Sequence, residues 1–191
     1  MKKDLVNIVR DKNLFIENET IIVALSGGVD SMVLFDILKK LNQAVTFENF
    51  LQTKYVGQKR FSLEGGEALI PAISAIIWNA TEYFDAKEFV LGMAHRGRLS
   101  TLVNIFRKPI RDLFSEFEGK DFEDETIDGD VKYHLGFTTS KTLKNNKELK
   151  MNLVPNPSHL ETVGPVVEGI SRAKIDKTYN GDNSKLLPII V

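Results

Sequence analysis

The chain has 191 residues, of which 42% are hydrophobic and 27% are charged, and its formal net charge is -1. This composition is typical of one globular domain of ordinary size or two very small ones, and it does not require a basic surface for nucleic acid. Because there is no cysteine, disulfides, cysteine zinc sites and thiolate nucleophiles are excluded. Neither a membrane-spanning run nor a signal peptide is recognisable, so we expect a cytoplasmic protein without a membrane partner.

The first predicted elements are a helix, a strand, a glycine turn and a second helix. Residues 3–13 place apolar side chains on one side and predict a short amphipathic helix. Residues 20–25 form a short β-branched run before a glycine pair, which predicts a buried strand. Apolar residues at helical spacing then begin at Met32, and helical character continues to about Leu51.

Strands and helices alternate along the rest of the chain, which predicts an α/β fold. The predicted strands are short apolar runs at residues 88–94, 149–154 and 186–191. The predicted helices lie at residues 69–80, from about residue 99, and from Pro109 to Phe117, with a last helix capped by Ser158 and Glu161. Residues 118–130 carry seven acidic side chains and predict a solvated loop, with an acidic metal site as the alternative.

The glycine turn at residues 26–31 has the sequence Ser-Gly-Gly-Val-Asp-Ser. Successive backbone N–H groups near glycine and the start of a helix favour a bound anion, although an ordinary tight turn is the alternative. The motif resembles the pyrophosphate loop of ATP pyrophosphatases, and its flanking residues are most similar to the start of tRNA(Ile)-lysidine synthases. The resemblance implies ATP binding by Ser26, Gly27, Gly28, Asp30 and Ser31. Transfer RNA is a partner only under this interpretation.

Four sequence blocks further along the chain resemble the decarboxylating subunit of 2-oxoglutarate dehydrogenase. They appear in the family's order at residues 50–66 (FLQTKYVGQKRFSLEGG), 92–99 (GMAHRGRL), 129–137 (GDVKYHLGF) and 156–161 (NPSHLE). The resemblance implies part of a three-layer α/β thiamine-enzyme-like domain, preceded by the strand, pyrophosphate loop and helix. We therefore predict two domains, at residues 1–42 and 43–191.

The blocks contain all three histidines of the chain and several arginines. Histidine exchanges protons near neutral pH, and arginine supplies a permanent charge with paired donors for carboxylates. With the resemblance, His95 and His134 are the candidate catalytic residues. The candidate substrate-binding residues are Arg60, Arg96, Arg98 and His159, although His159 is explained equally well by a structural role beside the helix cap.

The resemblance implies thiamine diphosphate and Mg²⁺ as cofactors, a lipoyl-bearing succinyltransferase subunit as partner, and a homodimer. In the family, a Gly-Asp motif after the Leu-Pro-Ile strand and a later asparagine hold the metal, and this sequence stops at Val191 before that motif. No metal ligand is therefore assigned. We expect the isolated chain not to decarboxylate 2-oxoglutarate, so whether it is an enzyme is left open.

Three functions compete at this point. The first is a piece of the thiamine-dependent 2-oxoglutarate decarboxylating subunit, and the second is an ATP-binding fragment of the tRNA-lysidine type. The third is a non-catalytic fold that binds anions. Residues 37–43 could form a helix in either of the two families that the chain resembles. We therefore interpret the chain as a fusion of the two through this stretch. The alternative is a natural small protein that contains both pieces.

Overall fold

The computed structural model describes residues 26–118, 134, 136–143, 147–156 and 162–191. The chain divides into two compact units, Met1–Leu38 and Lys39–Val191. The predicted helix at residues 3–13, the predicted strand at residues 20–25, most of the acidic stretch and the proposed cap at Ser158 lie outside the described residues. The proposed domain boundary at residues 42 and 43 stays a prediction.

In the Met1–Leu38 unit, the described residues form a turn and the first part of a helix. The turn occupies residues 26–28, and helix α1 (Val29–Lys54) begins directly after it. This arrangement confirms the predicted order of turn and helix, but the helix begins at Val29 rather than at Met32, so it includes Asp30 and Ser31 of the predicted loop. Gly27 has a φ of 78°, a left-handed conformation that glycine adopts without a steric penalty.

The Lys39–Val191 unit contains four strands and, besides the remainder of α1, four further helices among its described residues. The strands are β1 (Glu88–Gly92), β2 (Phe137–Thr142), β3 (Glu148–Leu153) and β4 (Leu186–Ile190). The helices are α2 (Leu69–Phe84), α3 (Arg98–Asn104), α4 (Ile110–Glu118) and α5 (Val163–Thr178), with a 3-10 turn at Asn183–Lys185. Helix α5 follows Thr162, which makes no side-chain capping hydrogen bond to it.

The strands form one sheet in the order β2-β3-β1-β4. Strand β1 pairs in parallel with both β3 and β4, whereas β2 is antiparallel to β3. The predicted α/β class is therefore confirmed as a mixed fold with a mostly parallel sheet. Strand β2 was not predicted, because its sequence is mainly polar and four of its six residues are exposed.

Helices cover both faces of the sheet, and the alternation of side chains along β1 shows this directly. Phe89 and Leu91 belong to the larger apolar cluster, together with buried residues of α1, α2 and α3. Val90 points the other way and packs with Val163 and Val167 of α5. All five residues of β1 are buried, as expected for a central strand of a parallel sheet with both faces covered.

Candidate functional site

The loops that carry the candidate histidines meet at one edge of the sheet. His95 follows the carboxyl end of β1 by three residues. Phe137 at the start of β2 pairs with Leu153 at the end of β3, so His134, just before β2, lies at the same edge. The backbone N–H of Asn156 donates to the carbonyl of His134 over 2.9 Å and joins the loop after β3 to the loop before β2. His95 is half-buried and His134 is buried.

A loop before α2 fixes the position of His95 through three contacts. The Phe61 ring packs against the imidazole with their centroids 4.2 Å apart. Gly97 donates its backbone N–H to the Phe61 carbonyl over 2.9 Å. Arg96 Nη1 donates to the Ser62 carbonyl over 2.9 Å. His95 and the two residues after it are therefore all held against residues 61 and 62.

Gly97 has to be glycine for two reasons. Its φ is 73°, a region where side chains cause strain, and a Cβ atom there would lie 2.5 Å from Leu63 Cδ1. The absence of a side chain thus allows the His95 loop and the loop before α2 to approach closely.

Glu48 of α1 also binds the loop before α2, at Leu63 and Arg60. Its Oε1 accepts the backbone N–H of Leu63 over 3.2 Å, and its Oε2 lies 3.4 Å from Arg60 Nη1. Burial raises the pKa of this carboxyl above its usual value, and the Leu63 N–H and Arg60 oppose that rise. Arg60 also contacts Glu64 at 3.4 Å, so this candidate substrate-binding arginine is already paired with two carboxylates.

Arg98 is fully buried, at 0% exposure. Its Nη1 donates to the Met93 carbonyl over 3.1 Å and its Nη2 to the Val154 carbonyl over 2.6 Å. The guanidinium therefore connects the chain just beyond β1 to the chain just beyond β3. Burial lowers its pKa to about 10, so the group remains charged near neutral pH. This placement is that of a structural group, whereas Arg96 is exposed and keeps further donors for a ligand.

Sequence reasoning missed two residues of this edge. Phe61 adopts a φ of 42°, unusual for an aromatic residue, and it supplies both the ring and the carbonyl that hold the His95 loop. Asn156 is 1% exposed, and its place in the fourth block gave no hint that its backbone binds His134. His159 lies outside the described residues.

Of the residues predicted to bind ATP, Ser26, Gly27 and Gly28 lie in the exposed turn, and Asp30 and Ser31 lie in the first turn of α1. Ser31 Oγ donates to the Gly28 carbonyl over 2.8 Å, and Ser26 Oγ donates to Ser31 Oγ over 3.2 Å. The Gly28 N–H points to Ser26 Oγ at 3.4 Å, and Asp30 lies in the first turn of α1. The hydroxyls of Ser26 and Ser31 thus join the residues before and after the glycine pair at the start of the helix.

Comparison with known proteins gives a clear relationship for most of the chain. A segment of 160 residues is 54% identical to the 2-oxoglutarate dehydrogenase E1/E2 component of Corynebacterium glutamicum, covering 81% of this chain and 13% of that protein. The 2-oxoglutarate dehydrogenase E1 component of Azotobacter vinelandii is 48% identical over 155 residues, which cover 81% of this chain and 16% of that protein. Over most of its length, this chain is homologous to a segment of the 2-oxoglutarate dehydrogenase E1 component.

A third relative is the multifunctional 2-oxoglutarate metabolism enzyme of Mycolicibacterium vanbaalenii, at 49% identity over 160 residues. That match covers 81% of this chain and 13% of the relative. The E1-homologous chain therefore spans about one seventh of the length of these curated relatives. No family model matches it. Within the described ranges, none of its helices is long and apolar enough to cross a membrane.

Proposed function

We propose that residues 43–191 form part of a three-layer catalytic domain of the E1 type that acts on 2-oxoglutarate, with His95 and His134 as the residues that exchange protons with the substrate. The observation that carries the proposal is the meeting of both histidine loops at the carboxyl edge of the parallel strands, in a chain homologous to E1 components. Ligands of open α/β sheets gather at that edge.

The surrounding contacts support a different task for each of the three arginines. Arg98 holds the backbones beyond β1 and β3 in place, and Arg60 orders the loop before α2 through Glu48. Arg96 is exposed beside His95 and is the arginine we propose for the substrate carboxylate. In this proposal, Arg96 supplies a permanent positive charge for one carboxylate of the dicarboxylic 2-oxo acid. The imidazoles of His95 and His134 donate hydrogen bonds to the oxyanion that develops on it.

No residue of this chain is assigned to the Mg²⁺ ion that anchors thiamine diphosphate in the family. Among the residues that the structure describes, no group of three His, Asp or Glu side chains is placed to hold a metal ion. We therefore derive no step through the cofactor. Thiamine diphosphate with Mg²⁺, a homodimer, and transfer to a lipoyl-bearing succinyltransferase remain part of the proposal through homology alone.

Thermal unfolding with and without 2-oxoglutarate tests the substrate proposal. At a concentration tenfold above the dissociation constant, we expect the midpoint to rise by roughly 3–5 °C, because the ligand stabilises only the folded chain. His95→Asn and Arg96→Gln should each reduce the rise, whereas Lys177→Gln on the exposed side of α5 should leave it unchanged. An unchanged midpoint in the wild type would contradict the proposal, as would an undiminished rise in His95→Asn.

An alternative function concerns the turn at residues 26–31. The left-handed Gly27 directly before α1 is the observation that favours an anion-binding loop of the ATP-pyrophosphatase type, in which tRNA would be the partner. MgATP should then raise the unfolding midpoint more than MgAMP does, and Gly27→Val should remove the difference. Equal effects of the two nucleotides would reject this alternative.

A further inference from the structure

A concave region of the Lys39–Val191 unit lies away from the histidines. It is bounded by α2, the segment after α3, and the β2 and β3 strands. Its volume is about 580 Å³, within the range of small-molecule sites. Lys141 and Thr142 line it at the end of β2, and the β2–β3 register places that end opposite the His134 edge.

The floor of this cavity is apolar. Leu149 and Met151 are both 3% exposed and lie two residues apart on β3, so they face the same side of the sheet. Ile77 of α2 and Ile105 after α3 complete the floor and are also buried. Trp78 forms a side wall, is 56% exposed, and touches Tyr83 edge-on with centroids 5.7 Å apart. An apolar ligand body can therefore be buried against this floor.

The mouth of the cavity carries more positive than negative charge. Arg107 and Lys141 are both exposed, and in the part of the chain that the structure describes neither forms an ion pair. Among the described residues of the lining, Glu82 is the single acidic one, and it is likewise exposed. A ligand with one carboxylate would match the net charge of this mouth.

Arg107 occupies a position where glycine is usual. The Lys108 N–H donates to the Leu102 carbonyl over 2.9 Å and closes the end of α3, while Arg107 adopts a φ of 60°. An arginine in this left-handed conformation costs stability that a glycine would not. The same conformation places a long cationic side chain at the mouth.

We propose that this cavity binds an amphipathic carboxylate. Arg107 and Lys141 hold the carboxylate at the mouth, and the apolar body lies on the β3 floor beside Trp78. The proposal concerns a site separate from the histidine edge, so it does not depend on the proposed decarboxylase function.

The test uses Trp78 emission, because Trp78 is the single tryptophan of the chain. The probe is 4-phenylbutyrate and the matched uncharged compound is 4-phenylbutanamide. We expect a saturable change in emission with a dissociation constant of about 1 mM for the carboxylate, given its dozen or so heavy atoms. The amide should bind about threefold to tenfold more weakly.

Substitutions with opposite expected effects sharpen the test. Arg107→Gln and Lys141→Gln should each weaken carboxylate binding by about threefold, and Glu82→Gln should strengthen it by a similar factor. Arg107→Gly should weaken binding without lowering the unfolding midpoint, which separates the ligand role from a structural one. Lys177→Gln is the control and should change nothing. A change that does not saturate, equal affinity for acid and amide, or unaltered affinity in Arg107→Gln would each overturn the proposal.

Discussion

The two edges of the sheet are held together in different ways. At the carboxyl edge, the connecting bonds end on main-chain carbonyls: Arg98 binds those of Met93 and Val154, and the Asn156 N–H binds that of His134. These bonds fix the course of the loops that carry His95 and His134. We infer that these bonds hold the loops of the carboxyl edge in one conformation.

At the amino edge, charged side chains also pair with one another, beside main-chain bonds such as the one from the Lys87 N–H to the Lys185 carbonyl. Glu88 accepts from Lys174 and Tyr179, and Asp85 contacts Lys185 at 2.9 Å and Lys147 at 3.1 Å. These two lysines, Lys185 first, lower the pKa of Asp85 to about 2. The two Asp85 pairs are partly exposed and contribute little each, whereas Glu88 is buried and keeps Lys174 as a partner when Tyr179 is changed. The comparison indicates that damage to the carboxyl edge should cost more stability than damage to the amino edge.

The largest effect is expected for Arg98→Met. The substitution fills much of the volume but leaves two buried carbonyls without their donors, and each buried unsatisfied group costs about 1–3 kcal/mol. We therefore expect a loss of about 2–4 kcal/mol in the free energy of unfolding, measured by urea titration. A loss below that of Tyr179→Phe at the other edge would contradict the comparison.

A smaller loss is expected for Gly136→Ala, between His134 and β2. The added methyl would lie 2.8 Å from Pro155 Cδ and 2.9 Å from the Leu153 carbonyl oxygen. Because the backbone oxygen cannot move aside freely, we expect a loss of about 1–3 kcal/mol.

Gly169→Ala is the matched control for that substitution. Its Cβ would meet nothing within 4 Å, and Gly169 lies inside α5, where alanine favours the helix by about 0.5–1 kcal/mol. Equal unfolding midpoints for the two variants would show that the close approach at Gly136 is absent in solution.

The smallest effect is expected at the amino edge, for Tyr179→Phe. The hydroxyl donates to Glu88 Oε2 over 3.0 Å, and its loss should cost about 1 kcal/mol.

The same hydrogen bond should depend on pH. Burial is the first cause and the Glu88 carboxylate the second cause that raises the pKa of Tyr179 from 10.0 to about 12. A raised pKa means that the stabilisation is complete below pH 10.0 and is lost as the pH rises through about 12. The wild type should lose its advantage over Tyr179→Phe in that interval, and a constant difference would contradict the assignment.

Local patterns predicted the elements whose residues are buried on a regular period. The continuous apolar run of β1 is of this kind, and so is the spacing of Ile73 and Ile77 in α2. The same spacing also placed Ile76 on the apolar face, but Ile76 is 46% exposed, whereas the buried Ile70 was not part of the predicted face. Strand β2 was missed because an edge strand with polar residues on both faces carries no such period.

The roles within the candidate site depend on contacts between distant residues. Arg98 and Val154 are 56 positions apart, and no local spacing distinguishes a buried arginine that holds a loop from an exposed one that binds a substrate. The motif blocks identified the residues that surround the edge, and the structure separated the buried Arg98 from the exposed Arg96.

The most direct test of the account replaces the homologous segment of the Azotobacter vinelandii E1 component with residues 43–191 of this chain. We expect the folded hybrid to release carbon dioxide from 2-oxoglutarate, and His95→Ala and His134→Ala each to lower the rate by about 100-fold or more, because positioned acid–base groups contribute about that much. A folded but inactive hybrid, or one that keeps its full rate in both histidine variants, would contradict the assignment of this edge as the catalytic one.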